Sequence, residues 1–280
     1  LRSIDNTTTN YWVCGDDGIV LKINKIDLAI ERIYLGVETQ LNCVSFFNDL
    51  IGVIVGKFNQ IWITNNGGKD WSRLSFSSFE GFNFNTVVFS NIDTFYVGGD
   101  NGVFIEFKIS SGEWSAFKRR VSRFEDSLDD EWVLIDDITS ISYFTYSNPY
   151  IAIGSRNNNI YLYDIQNSIS SYSFIYIDGG LEFGDVTSLA YGPSGSIYFS
   201  TFNGIYQFSP FGLTTSAYNI INSTFSIFST QSGINSLYNY NDLDLIATGG
   251  NSNWISISFS NSSLVEDIYN DNDRDEFFDR

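Results

Sequence analysis

The chain has 280 residues, a mass of 31.7 kDa and a formal charge of −18. That charge repels phosphate backbones and anionic lipid surfaces, so nucleic acid is not an expected partner. No apolar run approaches the roughly eighteen residues that cross a bilayer, and the opening LRSIDNTTTN has neither a basic stretch nor an apolar signal core. With 43% hydrophobic residues and only three prolines, the sequence reads as a folded, soluble protein without direct membrane insertion.

The chain opens on Leu and contains no Met, so its native start is expected to be processed away or to lie outside this sequence. Leu1-Arg2-Ser3-Ile4 begins a pattern that returns at LNCVSFF (41–47), FNTVVFS (84–90), ITSISYF (138–144), VTSLAYG (186–192) and INSLYNY (234–240). The third position is always small: Ser3, Cys43, Thr86, Ser140, Ser188 and Ser236. The fourth is always aliphatic: Ile4, Val44, Val87, Ile141, Leu189 and Leu237. Small residues are expected where sheets converge on an axis.

A second strand follows each copy: YWVCG, IGVIVG, FYVGG, YIAIG, SIYFS and LIATGG. Each then runs into a turn, at Asp16-Asp17-Gly18, Phe58-Asn59, Asp100-Asn101-Gly102, residues 157–159, Asn203-Gly204 and Ser252-Asn253. Asn and Asp tolerate left-handed backbone angles and Gly adopts them freely, so these are predicted hairpin turns. Third strands follow as GIVLKI, QIWIT, GVFIEF, NIYLY, GIYQF and NWISI, and weaker fourth strands, such as WSRLSF and WSAF, close the units.

Four short antiparallel strands recurring every forty to fifty-five residues predict an all-β fold, a β-propeller of six four-stranded blades. The expected organisation is a single domain over 1–280, with repeats at about 1–40, 41–83, 84–137, 138–185, 186–233 and 234–280. Seven blades is the alternative if residues before Leu1 are missing. The abundant Phe, Tyr and Trp are assigned to packing between blades.

The second unit contains Thr64-Asn65-Asn66-Gly67-Gly68-Lys69-Asp70-Trp71, which resembles the Asp-box, with Thr64, Asn66, Gly68 and Trp71 in its structural positions. The hydroxyl and carboxamide can bond the turn's backbone, Gly68 can take positive φ, and Trp71 can fold back over the hairpin. A shorter relative, Ser110-Ser111-Gly112-Glu113-Trp114, occurs in the third unit. Combined with the LxxVxF strand, the VGGDNG turn and the GVFIEF strand, this is similar to the photosystem II assembly and stability factor family, within the wider sialidase and sortilin-type Asp-box propellers. The resemblance implies a binding or assembly role without catalysis. Related propellers recur in virion and tail proteins.

Chemistry narrows the reading further. The chain has no His, which removes Ser-His-Asp and Cys-His catalysis and His-bound zinc. Among the arginines only Arg2 lies on a first strand, so the arginine triad of a sialidase is not assembled. Cys43 takes a slot filled elsewhere by Ser or Thr and reads as a packing residue. The acidic tail at 270–280 resembles the start of an EF-hand loop but lacks its turn glycine and terminal Glu. No enzyme activity, cofactor or metal is expected.

One segment breaks the period. Residues 118–137 make the third unit about ten residues longer and hold Lys118, Arg119, Arg120 and Arg123, followed by seven acids. By strand direction this insertion emerges beside the turns that carry Asp16, Asp17 and Asp100, opposite the Asp-box hairpin. These seven residues are the expected partner-binding set, with the cations directed at an acidic partner. The expected function is a non-catalytic protein-interaction or assembly scaffold in a larger complex such as a virion or tail structure. The alternative is a carbohydrate-binding or sialidase-like propeller. Compartment is left open, with virion and extracytoplasmic settings both compatible.

Overall fold

The structure is a computed structural model, and it describes residues 1–119, 121, 136–145, 149–156, 160–166, 174–176, 185–191, 197–201, 204–208, 226–229, 234–241, 244–249, 254–258 and 265–269. The alternation of β-branched and aromatic runs with Gly, Asn and Asp turns produces four-stranded antiparallel sheets, each ordered along the chain. The chain divides into two compact units, Leu1–Tyr143 and Phe144–Arg280.

In the first unit, the first sheet comprises β1 (Ser3–Asn6), β2 (Asn10–Cys14), β3 (Val20–Asn24) and β4 (Ile30–Ile33). The second comprises β5 (Leu41–Phe46), β6 (Gly52–Gly56), β7 (Gln60–Thr64) and β8 (Ser72–Arg73). The third comprises β9 (Phe84–Asn91), β10 (Thr94–Gly99), β11 (Phe104–Ser110) and β12 (Glu113–Arg119). Strands β13 (Ile138–Thr145), β14 (Pro149–Ser155), β15 (Ile160–Asp164) and β16 (Phe174–Tyr176) form the next sheet, and the division between units falls within β13. The second unit continues with β17 (Val186–Tyr191), β18 (Ile197–Thr201), β19 (Gly204–Phe208) and β20 (Ser226–Ser229). Last come β21 (Ile234–Asn241), β22 (Asp244–Gly249), β23 (Trp254–Ser258) and β24 (Val265–Tyr269).

Core residues lie between neighbouring sheets. Trp12, Cys14 and Val20 of the first sheet pack on Leu41, Val44 and Ile54 of the second. Val53, Val55 and Ile61 of the second pack with Phe84, Phe95 and Phe107 of the third. In the second unit Ala152 and Leu162 meet Val186, Leu189 and Phe199. Strands β6, β10, β14, β15 and β18 are buried along nearly their whole length, as expected when both faces of a sheet are covered.

The small third positions do more than make room. Val44 N–H donates to Ser3 Oγ at 3.3 Å, Cys43 Sγ faces Val87 O at 3.9 Å and Ile141 N–H donates to Thr86 Oγ1 at 3.3 Å. In the second unit Ser188 Oγ donates to Leu237 O at 3.5 Å. In each case the third residue of one first strand meets the backbone of the fourth residue of the next. A hydroxyl or thiol is long enough to reach that amide plane and a methyl offers it no bond, which explains why Cys can replace Ser here.

A second recurrence was not anticipated from sequence. Register breaks fall between Leu41 and Cys43, Phe84 and Thr86, Val186 and Ser188, and Ile234 and Ser236, so the second residue of each of these strands is a bulge. Bulges re-aim a side chain. Asn42 Nδ2 thereby donates to Phe84 O at 2.7 Å and Asn85 Nδ2 to Ile138 O at 3.1 Å, each reaching the next first strand. The strand opposite must approach closely: a Cβ on Gly56 would sit 2.3 Å from Gln40 O, and one on Gly99 2.2 Å from Asn83 O.

Two expected elements differ. The WSRLSF strand shrinks to Ser72–Arg73, because after Leu74 N–H bonds Ile61 O the chain turns into a short 3-10 helix at Ser77–Phe79. Lys118 and Arg119, expected in the loop, are strand residues: β12 pairs along its whole length with β11, up to Arg119 opposite Phe104.

Candidate functional site

The described part of the expected site lies where the β2–β3, β6–β7 and β10–β11 turns and the connections into the next sheet emerge. The three turns align as Gly15-Asp16-Asp17-Gly18, Gly56-Lys57-Phe58-Asn59 and Gly99-Asp100-Asn101-Gly102. Each places two consecutive residues in the left-handed region: Asp17 and Gly18 (φ 56° and 64°), Phe58 and Asn59 (56° and 57°), Asn101 and Gly102 (54° and 65°).

Asp16 and Asp100 are shape-holding groups. Arg2 Nε donates to Asp16 Oδ1 at 2.6 Å, and this bond holds the Asp16 carboxyl below the ordinary carboxylate range, with Lys57 adding a smaller attraction. Asp100 receives Asn85 Nδ2 and Asn83 Nδ2, both at 2.8 Å. Asn83 in turn accepts Phe58 N–H at 3.1 Å on its Oδ1, so one carboxamide staples the turns of the second and third sheets together. Asn101 N–H donates to Asp137 Oδ1 at 3.0 Å, which fixes the returning end of the long insertion to the same turn. Asp17 is exposed.

The cations divide. Arg119 is spent inside the sheet: its Nε donates to Glu106 Oε2 at 2.8 Å and its Nη2 bonds the same oxygen, with both side chains largely covered. Lys118 Nζ lies 5.6 Å from the centre of the Phe82 ring, in cation–π range. Arg120 and Arg123 lie outside the described residues, as do residues 122–135 and the tail at 270–280. The structure therefore joins Asp100 with Asn83, Asn85 and Phe58, and Asp16 with Arg2, while Arg119 joins Glu106.

The Asp-box-like residues meet at the other end of the second sheet. Thr64 Oγ1 accepts Gly68 N–H at 2.9 Å and donates to Asn66 Oδ1 at 3.1 Å, and Asn66 Oδ1 also accepts Asp70 N–H at 3.0 Å. Asn66 Nδ2 donates to Asp70 Oδ2 at 2.9 Å, a bond that an Asp at this position could not donate. Gly68 has φ +75°, and a Cβ there would lie 2.0 Å from the Trp12 ring. Trp71 packs edge-on against Trp12 and Phe46 at 5.9 and 6.0 Å. The hairpin thus clamps the second sheet to the first.

What sequence reasoning missed is Phe58. It is 63% exposed in a left-handed slot that its two counterparts give to Asp17 and Asn101. Such a conformation costs on the order of 1 kcal/mol for an aromatic residue. The neighbouring Asn59 is 5% exposed and its Oδ1 is buried without a donor. The aligned glycines of the flanking turns were the available signal.

Groups that could carry covalent chemistry are muted. Burial pushes the Cys14 thiol well up and the Cys43 thiol up, away from the reactive thiolate. Among the described residues no group of three or more His, Cys, Asp or Glu is placed to hold a metal ion. Asn6, which opens the glycosylation-type triplet Asn6-Thr7-Thr8, accepts a bond from Lys25 Nζ at 2.9 Å. No helix among the described residues is long and apolar enough to cross a membrane.

No family model matches the chain, and no curated protein sequence does. Solved structures do. The Cps50 (Swd1) β-propeller domain of Myceliophteria thermophila matches with a TM-score of 0.69 at 13% identity, covering 94% of this chain and 84% of that one. The fold is β-propeller-like. YCF48 bound to D1 peptide matches with a TM-score of 0.65 at 14% identity, over 95% of this chain and 81% of that one. The computationally designed Ika8 protein matches with a TM-score of 0.60 at 12% identity, over 96% and 86%. At these identities the likeness concerns the propeller fold alone and does not extend to a sialidase or other Asp-box family.

Proposed function

We propose that this chain is a non-catalytic, protein-binding propeller of six four-stranded blades closed into one ring, serving as a subunit or assembly factor of a larger complex such as a virion or tail structure. The observation that carries the binding reading is the rim built by Phe58, Asn83, Asp100, Asn101 and Asp137. Its polar groups are consumed in holding neighbouring turns in register, which presents a fixed surface and leaves no activated nucleophile there. A surface preorganised in this way loses little entropy on binding. YCF48, of the same fold, has been solved with a bound peptide, which is consistent with this use of a propeller.

In this reading Lys118, Arg120 and Arg123 face an acidic partner, Arg119 fixes the strand end from which the insertion departs, and Asp16, Asp17 and Asp100 shape the adjoining rim. The Thr64–Trp71 hairpin is an Asp-box-type clamp on the opposite end. Cross-linking followed by mass spectrometry on the chain in its native source tests the proposal: cross-links from Lys57 and Lys118 to one partner protein are expected. Cross-links confined to lysines of the opposite end, such as Lys25 and Lys69, contradict it. Hydrolysis or capture of sugars on a glycan array would overturn it in favour of a carbohydrate-binding propeller. For the ring, small-angle scattering is expected to return a radius of gyration of about 19 Å, that of a compact chain of this length. A markedly larger value contradicts closure.

A further inference from the structure

We infer that Phe58 is the anchor by which a polypeptide partner is held, with its ring covering an apolar side chain and Lys57 meeting an adjacent carboxylate of that partner. The inference rests on the protein-binding reading above and deepens it by naming the contact.

Three aligned turns share one backbone path, so differences among their side chains are not dictated by geometry. The first left-handed slot holds Asp17, Phe58 and Asn101, and the second holds Gly18, Asn59 and Gly102. Asn and Asp enter this region readily and Gly freely, whereas Phe does not. The β6–β7 turn therefore keeps at Phe58 a residue whose backbone makes it harder to form. The surroundings hold the strained residue in place: Phe58 N–H is bonded to Asn83 Oδ1 at 3.1 Å and Asn59 N–H to Phe82 O at 2.7 Å. What this arrangement gains is an aromatic ring 63% exposed on the rim. Strained backbone maintained by its surroundings clusters at functional sites, and aromatic residues, Phe among them, are enriched at the cores of protein interfaces.

The chemistry of the partner follows from the position before Phe58. Asp16 and Asp100 occupy it in the flanking turns and are bonded by Arg2, Asn83 and Asn85. The second sheet has Lys57 there, with its amide bonded to Gln40 O and its ammonium group attracted by Asp16 without a hydrogen bond or ion pair to it. A cation beside an aromatic ring fits a peptide segment in which one acid neighbours an apolar side chain, whereas the overall charge of −18 disfavours a polyanion. A nucleic acid or an anionic bilayer would meet net repulsion.

The test pans a random peptide library on the intact chain and measures the selected peptides against the wild type, Phe58→Asn and Phe58→Tyr. In parallel, binding to vesicles of phosphatidylserine and phosphatidylcholine is measured. Peptides pairing Asp or Glu with an aromatic or large aliphatic residue are expected. Phe58→Asn is expected to weaken them about tenfold or more and Phe58→Tyr to leave them nearly unchanged. The thermal midpoint of Phe58→Asn should equal or exceed that of the wild type, which separates lost binding from lost folding. Selected peptides that bind Phe58→Asn as well as the wild type overturn the inference while leaving the protein-binding reading intact. Vesicle binding that depends on Phe58, without peptide selection, overturns it in favour of a membrane contact. Neither peptides nor vesicles bound overturns it and removes this rim from the protein-binding reading as well.

Discussion

At one end of the second sheet the β7–β8 hairpin gives its left-handed positions to Gly67 and Gly68, and bonds from Thr64, Asn66 and the backbone of Leu50 hold its turn, while the indole N–H groups of Trp71 and Trp12 are buried without an acceptor. At the other end the β6–β7 turn gives them to Phe58 and Asn59. Both ends belong to the same four strands and meet the same demand for positive φ. One is optimised against the neighbouring sheet, with Gly68 under the Trp12 ring, and the other presents an aromatic to solvent. Where local rules are obeyed the residues are explained by folding. Where they are broken, with the break held in place by Asn83, another requirement has selected them.

The contrast makes opposite predictions for substitutions at the two ends, each read by urea denaturation. Gly68→Ala forces a Cβ into Trp12 and strains φ, and is expected to cost about 3 kcal/mol. Thr64→Val keeps the shape but leaves the buried Gly68 N–H without an acceptor, for a loss of about 2 kcal/mol. Asn83→Ala cuts the staple between the β6–β7 and β10–β11 turns, for a loss of about 1 kcal/mol. Phe58→Asn places at the strained slot the residue its third-sheet counterpart already uses, and is expected to gain about 1 kcal/mol. A loss there would place Phe58 with the hairpin residues as a packing group.

The smallest effect concerns Asp5, whose Oδ2 accepts Phe46 N–H at 2.6 Å and so ties the first sheet to the aromatic stack beneath the hairpin. Burial raises its carboxyl above the ordinary value, against the lowering effect of its bonds from Phe46 and Asn6. The folded state then binds the proton more tightly than the unfolded one. The stabilising contribution of Asp5 is complete below the unfolded value and declines as pH rises through the folded one. The stability of the wild type relative to Asp5→Asn should therefore fall as pH is raised through the carboxylate range. A rise would show that the amide bonds outweigh burial.

Much of the fold was legible because its periodic positions are set by packing between sheets: small at the third residue, aliphatic at the fourth, glycine or asparagine at the turns. The bonding ladders were not, since nothing in Asn42 or Asn85 announces a bulge that turns the carboxamide toward the next strand. The charged run that begins at Lys118 and Arg119 resembles a solvated loop in sequence, yet both residues pair within β12, where Arg119 bonds Glu106 of β11. Phe58 stood in the sequence as part of a turn. Only the alignment of three backbone paths shows that it occupies a slot unsuited to it.

Whether the β6–β7 turn is retained for contact at a cost in stability is decided by the urea midpoint of Phe58→Asn beside that of Thr64→Val. A midpoint equal to or above the wild type is expected for the first and a clear fall for the second. Comparable falls in both would contradict it.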